Sequence, residues 1–512
     1  MKETKKTEIP NNDLIVKYLE CLSETRCDDY AYWRNIGWIL RNLGIEREIF
    51  DEWSKKSEKY SEEACQKIWN DFDENKTAKM GLPTLAKYAK EDNPEKFKTI
   101  VDTSLMRLLK EGPSDVLIAN IFASYYPDKF KVSPKNKGTW YSLDKNNFWI
   151  EDESETEIYK QINIFAIEIK EEFKTIIYNE DNDEKTQSYT KKMVKINSYL
   201  DKNNSKTGIS RELKLIYFDY DFEKTLNKKN VFAFNNGVYD FETMEFRKAR
   251  PDDYVTKDYC CGYSYRETNP KKEEEIMKIL DSIQPDCDDR DYLLYTLAYT
   301  LQTEYRQQKL YCWMGEGANG KGILSTLLRK TFGTYSYSLD ADYLTAPMKK
   351  NPNAPDETLM LMINKRIIMA PEVDKNGVMN EKIIKNLTGG DVMSGRLLNG
   401  HKMEFEVKGG LFLQANHTIK FDGEKNAMQR RIVKIPFPVI FCEHPDIDNP
   451  FQKKIDKTLE SKLSNDIELR ISFFHILLRY YKKFVEECGH EHEIPMSKNI
   501  EEATQAYIAE NN

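Results

Sequence analysis

Apolar and polar positions along the chain follow different rhythms, and each rhythm predicts a different kind of element. Residues 14–100 carry apolar side chains at helical spacing, as in AYWRNIGWILRNLG and EACQKIWNDF. A compact helical domain is expected there, with Trp33, Trp38, Trp53 and Trp69 as core packing. From 115 to 290 the pattern is mixed. GTWYSLDKNNFWIED and VFAFNNGVYDFETMEFR read as strands broken by Asp-Lys-Asn-Asn and Asn-Gly turns. NEDNDEKTQSYTKK and LDKNNSKTG are polar enough to predict exposed loops or a flexible insert. NPKKEEEIMKILDSI opens a helix, and DRDYLLYTLAYTLQ leads into a core expected over 291–440, with a helical segment over 441–512. No internal repeat interrupts this order.

Within 291–440 the apolar runs are short and continuous, as in buried strands. Leu310 to Met314 runs into the glycine-rich turn GEGANGKG, and a helix begins near Lys321. Strand, glycine-rich loop and helix in that order is the context a phosphate-binding loop requires. Gly315, Gly317 and Gly320 let backbone N–H groups turn inward around Glu316, Ala318 and Asn319. The helix N-terminus adds partial positive charge, and Lys321 reaches the β- and γ-phosphates of ATP. Where Ser or Thr normally holds Mg2+, this chain has Gly322, and Ser325 lies a turn too far along to replace it. The bland alternative is a glycine-rich turn without nucleotide.

Three further pieces follow in sequence. Arg366 to Ala370 is an apolar strand ending at Pro371 and Glu372, where a carboxylate can hold Mg2+ through water and polarise the attacking water. Asp374 is a second candidate, and a plain loop acid is the alternative. Leu411 to Ala415 is another strand, ending at Asn416, whose amide can orient water beside the γ-phosphate or simply close a turn. Arg430 and Arg431 precede a final strand. They read either as surface salt bridges or as arginines that reach a neighbouring subunit's site and stabilise transition-state charge. Between these pieces, two strand-like runs flank Asn399-Gly400, a strong hairpin signal that puts His401 and Lys402 at a tip able to touch DNA phosphates.

Composition changes the picture little. The 512 residues allow roughly three domains, with 40% apolar and 32% charged residues, as in ordinary soluble proteins. No run approaches the roughly 18 apolar residues of a membrane span. MKETKKTEIPNN has no apolar signal core. The nine cysteines form no CxxC pair, so an intracellular, reducing setting is expected. Cys488, His490 and His492 lie close together, but so tight a cluster reads as a solvated loop rather than a metal site. A net charge of −8 does not exclude nucleic acid, because binding depends on where the basic groups sit.

GEGANGKG, RIIMAPE, LTGGDVMSGR, GLFLQAN and QRRIVKIPF, in that order, resemble a superfamily 3 helicase. More closely, they resemble the helicase part of the primase-helicases of poxviruses, other large DNA viruses, phages and plasmids. FAFNNGVYDFETMEFRKARPDDYVT resembles the domain preceding that motor, and residues 14–100 resemble the helical domain that follows the primase catalytic part. The resemblance implies an α/β, AAA+-like P-loop NTPase core preceded by a helical domain and a mixed α+β domain. It also implies a homo-hexameric ring, ATP with Mg2+, and movement along single-stranded or forked DNA, usually 3′→5′. The hairpin carrying His401 and Lys402 would project into the ring channel. Family primases use acidic metal ligands with a histidine, yet all six histidines here lie at 401 or later, so primer synthesis is not expected; whether a separate primase or other replication proteins are partners stays open. The winged-helix segment common after the motor is not recognised before EEATQAYIAENN, which suggests a fragment or a minimal version. Two alternatives stay open: a packaging or assembly ATPase, which has no need of LTGGD and the hairpin, and a non-catalytic nucleotide-binding replication scaffold, which Gly322 favours.

Overall fold

A computed structural model describes residues 12–71, 80–304, 307–345, 356–371, 377–396, 403–422, 428–489 and 493–510. The chain forms two compact units that divide between Leu226 and Asn227.

The first unit is mainly helical. Helices from Asn12–Cys21 to Asp115–Tyr125 lead into an antiparallel meander of β1 (Phe130–Ser133), β2 (Thr139–Leu143) and β3 (Trp149–Asp152). Three more helices follow, Thr156–Tyr178, Asp183–Leu200 and Asn203–Ile216. One continuous core runs from Ile15 through Phe50, Leu105, Phe122 and Phe165 to Tyr217. Phe122 sits among Tyr126, Phe130, Phe165 and Tyr217 at centroid distances of 4.8–6.5 Å. The core therefore does not break between residues 100 and 115, and the residues expected to form one domain over 115–290 are shared between the two units.

The polar segments expected as loops are helices. Asn182 caps Asp183–Leu200 by accepting a hydrogen bond from the Lys185 N–H. Tyr189, Ile196 and Leu200 on that helix, and Ile209 and Leu213 on the next, are buried. Burial of one narrow apolar stripe outweighs the local polarity of the remaining positions.

The second unit begins with a meander of β4 (Val231–Phe234), β5 (Gly237–Asp240) and β6 (Glu245–Arg247). Phe232 and Phe234 pack on Phe474 of the long helix Ile467–Cys488. Its centre is a five-stranded parallel sheet of β7 (Leu310–Met314), β8 (Ser336–Ser338), β9 (Ile367–Ala370), β13 (Gly410–Ala415) and β15 (Ile432–Pro436). The spatial order is β15-β7-β13-β9-β8. β7 and β9 are buried throughout, and β13 is buried except at Gln414, which explains their continuous apolar sequences. The edge strand β8, with the polar sequence SYS, left no such signal. Three small pairs complete the described strands: β10 (Val378–Asn380) with β14 (Lys420–Asp422), β11 (Met393–Gly395) with β12 (Met403–Phe405), and β16 (Ile440–Cys442) with β17 (Gln452–Lys454). The helix Lys498–Glu510 lies along β15, where the Thr504 hydroxyl accepts from the Lys434 N–H and Tyr507 donates to the Ile419 carbonyl. The 441–512 segment thus completes the sheet's packing rather than standing apart from it. Arg366 ties the sheet to the meander by donating to the carbonyls of Leu301 and Val231.

Candidate functional site

β7 ends at Met314, and the chain turns through Gly315–Gly320 into the helix Lys321–Phe332. Two glycines are required by geometry. A Cβ on Gly315 would come 2.3 Å from the Phe437 carbonyl oxygen, and Gly320 has φ +87°, with Ile283 Cγ1 2.6 Å from an added Cβ. Ala318 also takes positive φ (58°), and its carbonyl accepts from the Phe441 N–H at 2.7 Å. Gly317 and Gly322, in contrast, face open space.

The sheet order brings Asn416 to this loop. β13 pairs with β7 in register Ala415 to Met314, so the residue after β13 emerges beside the turn. Lys321 is 6% exposed, and its ammonium donates to the Gly315 carbonyl (2.7 Å), the Ala415 carbonyl (3.0 Å) and Asn416 Oδ1 (2.8 Å). A buried ammonium requires such charge-assisted partners. Asn319 is 3% exposed; its Oδ1 accepts from the Lys321 N–H, while its Nδ2 has no partner among the described residues.

A cavity of about 600 Å3 opens over the loop and the C-terminal ends of the strands. Besides the loop it is lined by Ser325 and Arg329 of the helix, Tyr337 of β8, Pro371 after β9, and Gln414 and Asn416. Glu460 also lines it, from a segment that sequence reasoning passed over. No local signal marks Glu460, whereas strand alternation from Asn416 points directly at Gln414. Ser325 is committed elsewhere: its hydroxyl donates to the Lys321 carbonyl at 2.9 Å and accepts from Gln414 Nε2. Glu372 and Asp374 lie outside the described residues, although Pro371 places the end of β9 at the cavity wall.

Arg430 and Arg431 are not gathered with Lys321. They precede β15, whose first residue pairs with Leu310, whereas the loop follows Met314. Four residues of strand put the arginines about 13 Å away, at the opposite end of the sheet. Arg430 is exposed and Arg431 is buried. Burial pulls the Arg431 pKa down and the Arg430 charge adds to this, while Asp391 and Glu381 oppose it. Near this end, Leu387, Thr388, Gly389 and Gly390 of the LTGGD segment line a second hollow of about 340 Å3 with Lys309 and Lys408. β11 and β12 form the antiparallel arms expected for a hairpin. Its tip, with His401 and Lys402, lies outside the described residues, as do His490, His492 and the Cys488 side chain. Among the described residues no group of three or more His, Cys, Asp or Glu is placed to hold a metal, and no helix is long and apolar enough to cross a membrane.

Comparison with known proteins gives this arrangement a context. Residues 15–89 match the family described as primase C terminal 2, and residues 119–285 match the one described as D5 N terminal like. The chain is 27% identical over 492 residues to "Putative helicase L207/L206" of Acanthamoeba polyphaga mimivirus, covering 91% of this chain and 50% of that protein. "Putative primase C962R" of African swine fever virus is 22% identical over 537 residues, covering 97% of this chain and 55% of its own length. The chain spans about half the length of these curated relatives. Among solved structures, the NrS-1 C terminal region aligns over 78% of this chain and 75% of its own, at TM-score 0.40 and 12% identity. The chain carries a primase C-terminal 2 domain and a D5 N-terminal-like domain, and it is homologous to viral proteins of the primase-helicase family.

Proposed function

We propose that the chain is the ATP-hydrolysing motor of a replicative DNA helicase, with an AAA+-like P-loop core. The observation that carries this reading is the buried Lys321 ammonium. It is collected with Asn416 and two carbonyls behind a glycine-rich turn, at the C-terminal ends of a parallel sheet. In open α/β sheets that end is where ligands bind. The residues fit a magnesium–triphosphate: Asn319 Nδ2, without a partner among the described residues, and the open faces of Gly317 and Gly322 leave both a donor and room. Mg2+, when bound, supplies charge neutralisation between the β- and γ-phosphates.

In this reading Gly315, Glu316, Gly317, Ala318, Asn319, Gly320, Lys321 and Gly322 wrap the phosphates, and Lys321 exchanges carbonyl partners for phosphate oxygens. Asn416, already bonded to Lys321, orients the attacking water, and Glu372 takes its proton and holds hydrated Mg2+. Arg430 and Arg431 lie at the opposite end of the sheet from their own site, and we assign them to the site of an adjoining subunit of a homo-hexamer. His401 and Lys402 contact single-stranded DNA. The relatives' names favour helicase or primase work over packaging.

ATP hydrolysis with and without single-stranded DNA, with Lys321→Ala as control, tests this. Turnover that rises with DNA and vanishes in the variant is expected. Nucleotide binding without turnover would favour a second reading, the non-catalytic scaffold, for which Gly322 is the specific argument.

A further inference from the structure

Gly322 removes the hydroxyl that normally meets the metal at the start of such a helix. The loss is not steric. Gly322 is exposed, and a Cβ there would meet nothing within 4 Å, so the backbone has room for Ser or Thr. Some other hard oxygen must serve a divalent cation in this cavity, because Mg2+ takes oxygen ligands in a full octahedral set.

Ser325, one turn along the same helix face, is the obvious substitute, but its hydrogen bonds rule it out. A serine hydroxyl has one proton, and Ser325 gives it to the Lys321 carbonyl at 2.9 Å. Towards Gln414 it can therefore only accept. The Gln414 group facing it must be the NH2, as the Nε2 to Oγ hydrogen bond requires. That polarity settles the amide's orientation and leaves Oε1 as its remaining acceptor, with no hydrogen-bond partner among the described residues. Gln414 lines the cavity, as do Ser325, Gly322 and Asn416. One residue beyond the paired Leu413 and Ala370, it comes beside Pro371, which immediately precedes Glu372. Gln414 also interrupts an otherwise buried apolar strand, where packing alone would favour another aliphatic residue.

We propose that Gln414 Oε1, oriented by Ser325, supplies the neutral oxygen that holds hydrated Mg2+ in this chain in place of a hydroxyl at position 322. The proposal rests on the nucleotide-binding reading of the loop, and its test separates the two.

The quantity to measure is the ratio of ADP affinities with Mg2+ and with EDTA, by titration calorimetry, together with Mn2+ binding to the ADP complex by electron paramagnetic resonance. The native chain should bind ADP more tightly with metal. Gln414→Leu preserves bulk and removes the oxygen. It should bring the affinity ratio close to one and weaken Mn2+ about 10-fold or more, as expected for one lost charge-assisted bond. Ser325→Ala frees the amide to turn and should lower the ratio by less. Gly322→Ser in the Gln414→Leu background should restore the ratio, which a merely misfolded variant could not do. Native-like Mn2+ affinity in Gln414→Leu, or no rescue by Ser at 322, overturns the assignment of Gln414 alone. Failure of the native chain to bind ADP both with Mg2+ and in EDTA overturns the nucleotide reading and this proposal with it.

Discussion

Gly320→Ala probes how the loop is held in place. The residue has φ +87°, and an added Cβ would lie 2.6 Å from Ile283 Cγ1, 3.0 Å from Cδ1 and 3.3 Å from Cγ2. Two separate costs follow. A left-handed backbone costs an L-residue about 1–2 kcal/mol. Forcing a methyl group into packed side chains adds about 1–3 kcal/mol, so the total loss should be about 2–5 kcal/mol. Ile283→Ala deletes the three atoms that the methyl group would meet. In that background Gly320→Ala should cost only the backbone part, about 1–2 kcal/mol. Trp313 makes the readout local, because the other six of the seven tryptophans lie before residue 227 and it stands two residues before the loop. With fluorotryptophan incorporated, its 19F resonance, assigned by Trp313→Phe, can be followed through urea unfolding. An equal cost in both backgrounds would refute the steric argument. A loss under about 0.5 kcal/mol in the native background would refute the backbone argument as well.

Three further outcomes are expected. Arg431→Ala should keep ADP binding but nearly abolish ATP hydrolysis, and mixing it with the inactive Lys321→Ala should recover part of the turnover, because some interfaces then pair an intact loop with an intact arginine; no recovery on mixing counts against action between subunits. Single-stranded DNA binding should weaken with salt at a log–log slope of about 0.7 per phosphate neutralised, and a flat response in a fluorescence-anisotropy titration would remove the charged-channel reading. Burial pushes the Asp240 and Asp253 carboxyls up, yet Arg247, donating to both, helps hold each below the usual carboxylate range. Groups depressed in this way stabilise the fold above their unfolded pKa of about 3.9, and that stability is lost as pH falls through the folded value. Arg247→Leu should therefore lower the urea midpoint more at pH 7 than at pH 3, and equal losses at the two pH values would contradict the pairing.

Elements whose signal is carried by near neighbours were legible in the sequence. The strand 310–314, the turn into Lys321, the apolar runs ending at Pro371 and Asn416, and the arms around Asn399-Gly400 follow from composition and turn chemistry within a few residues. Pairing partners were not, because a strand buried on both faces is apolar throughout and names no neighbour. Only the placement of β13 between β7 and β9 brings Asn416 to Lys321 across 95 residues of chain. The same placement sets Gln414 against Ser325, although its strand read as a plain apolar run. Polar composition misled over 180–208, where tertiary burial of a few side chains pays for helices that local sequence does not favour. The division between Leu226 and Asn227 also escaped, since a core joining Ile15 to Tyr217 is a property of packing, not of any window of sequence. The arginine pair shows both halves at once: its residues and their position before a strand were readable, but the sheet's register alone sets them at the far end from their own lysine.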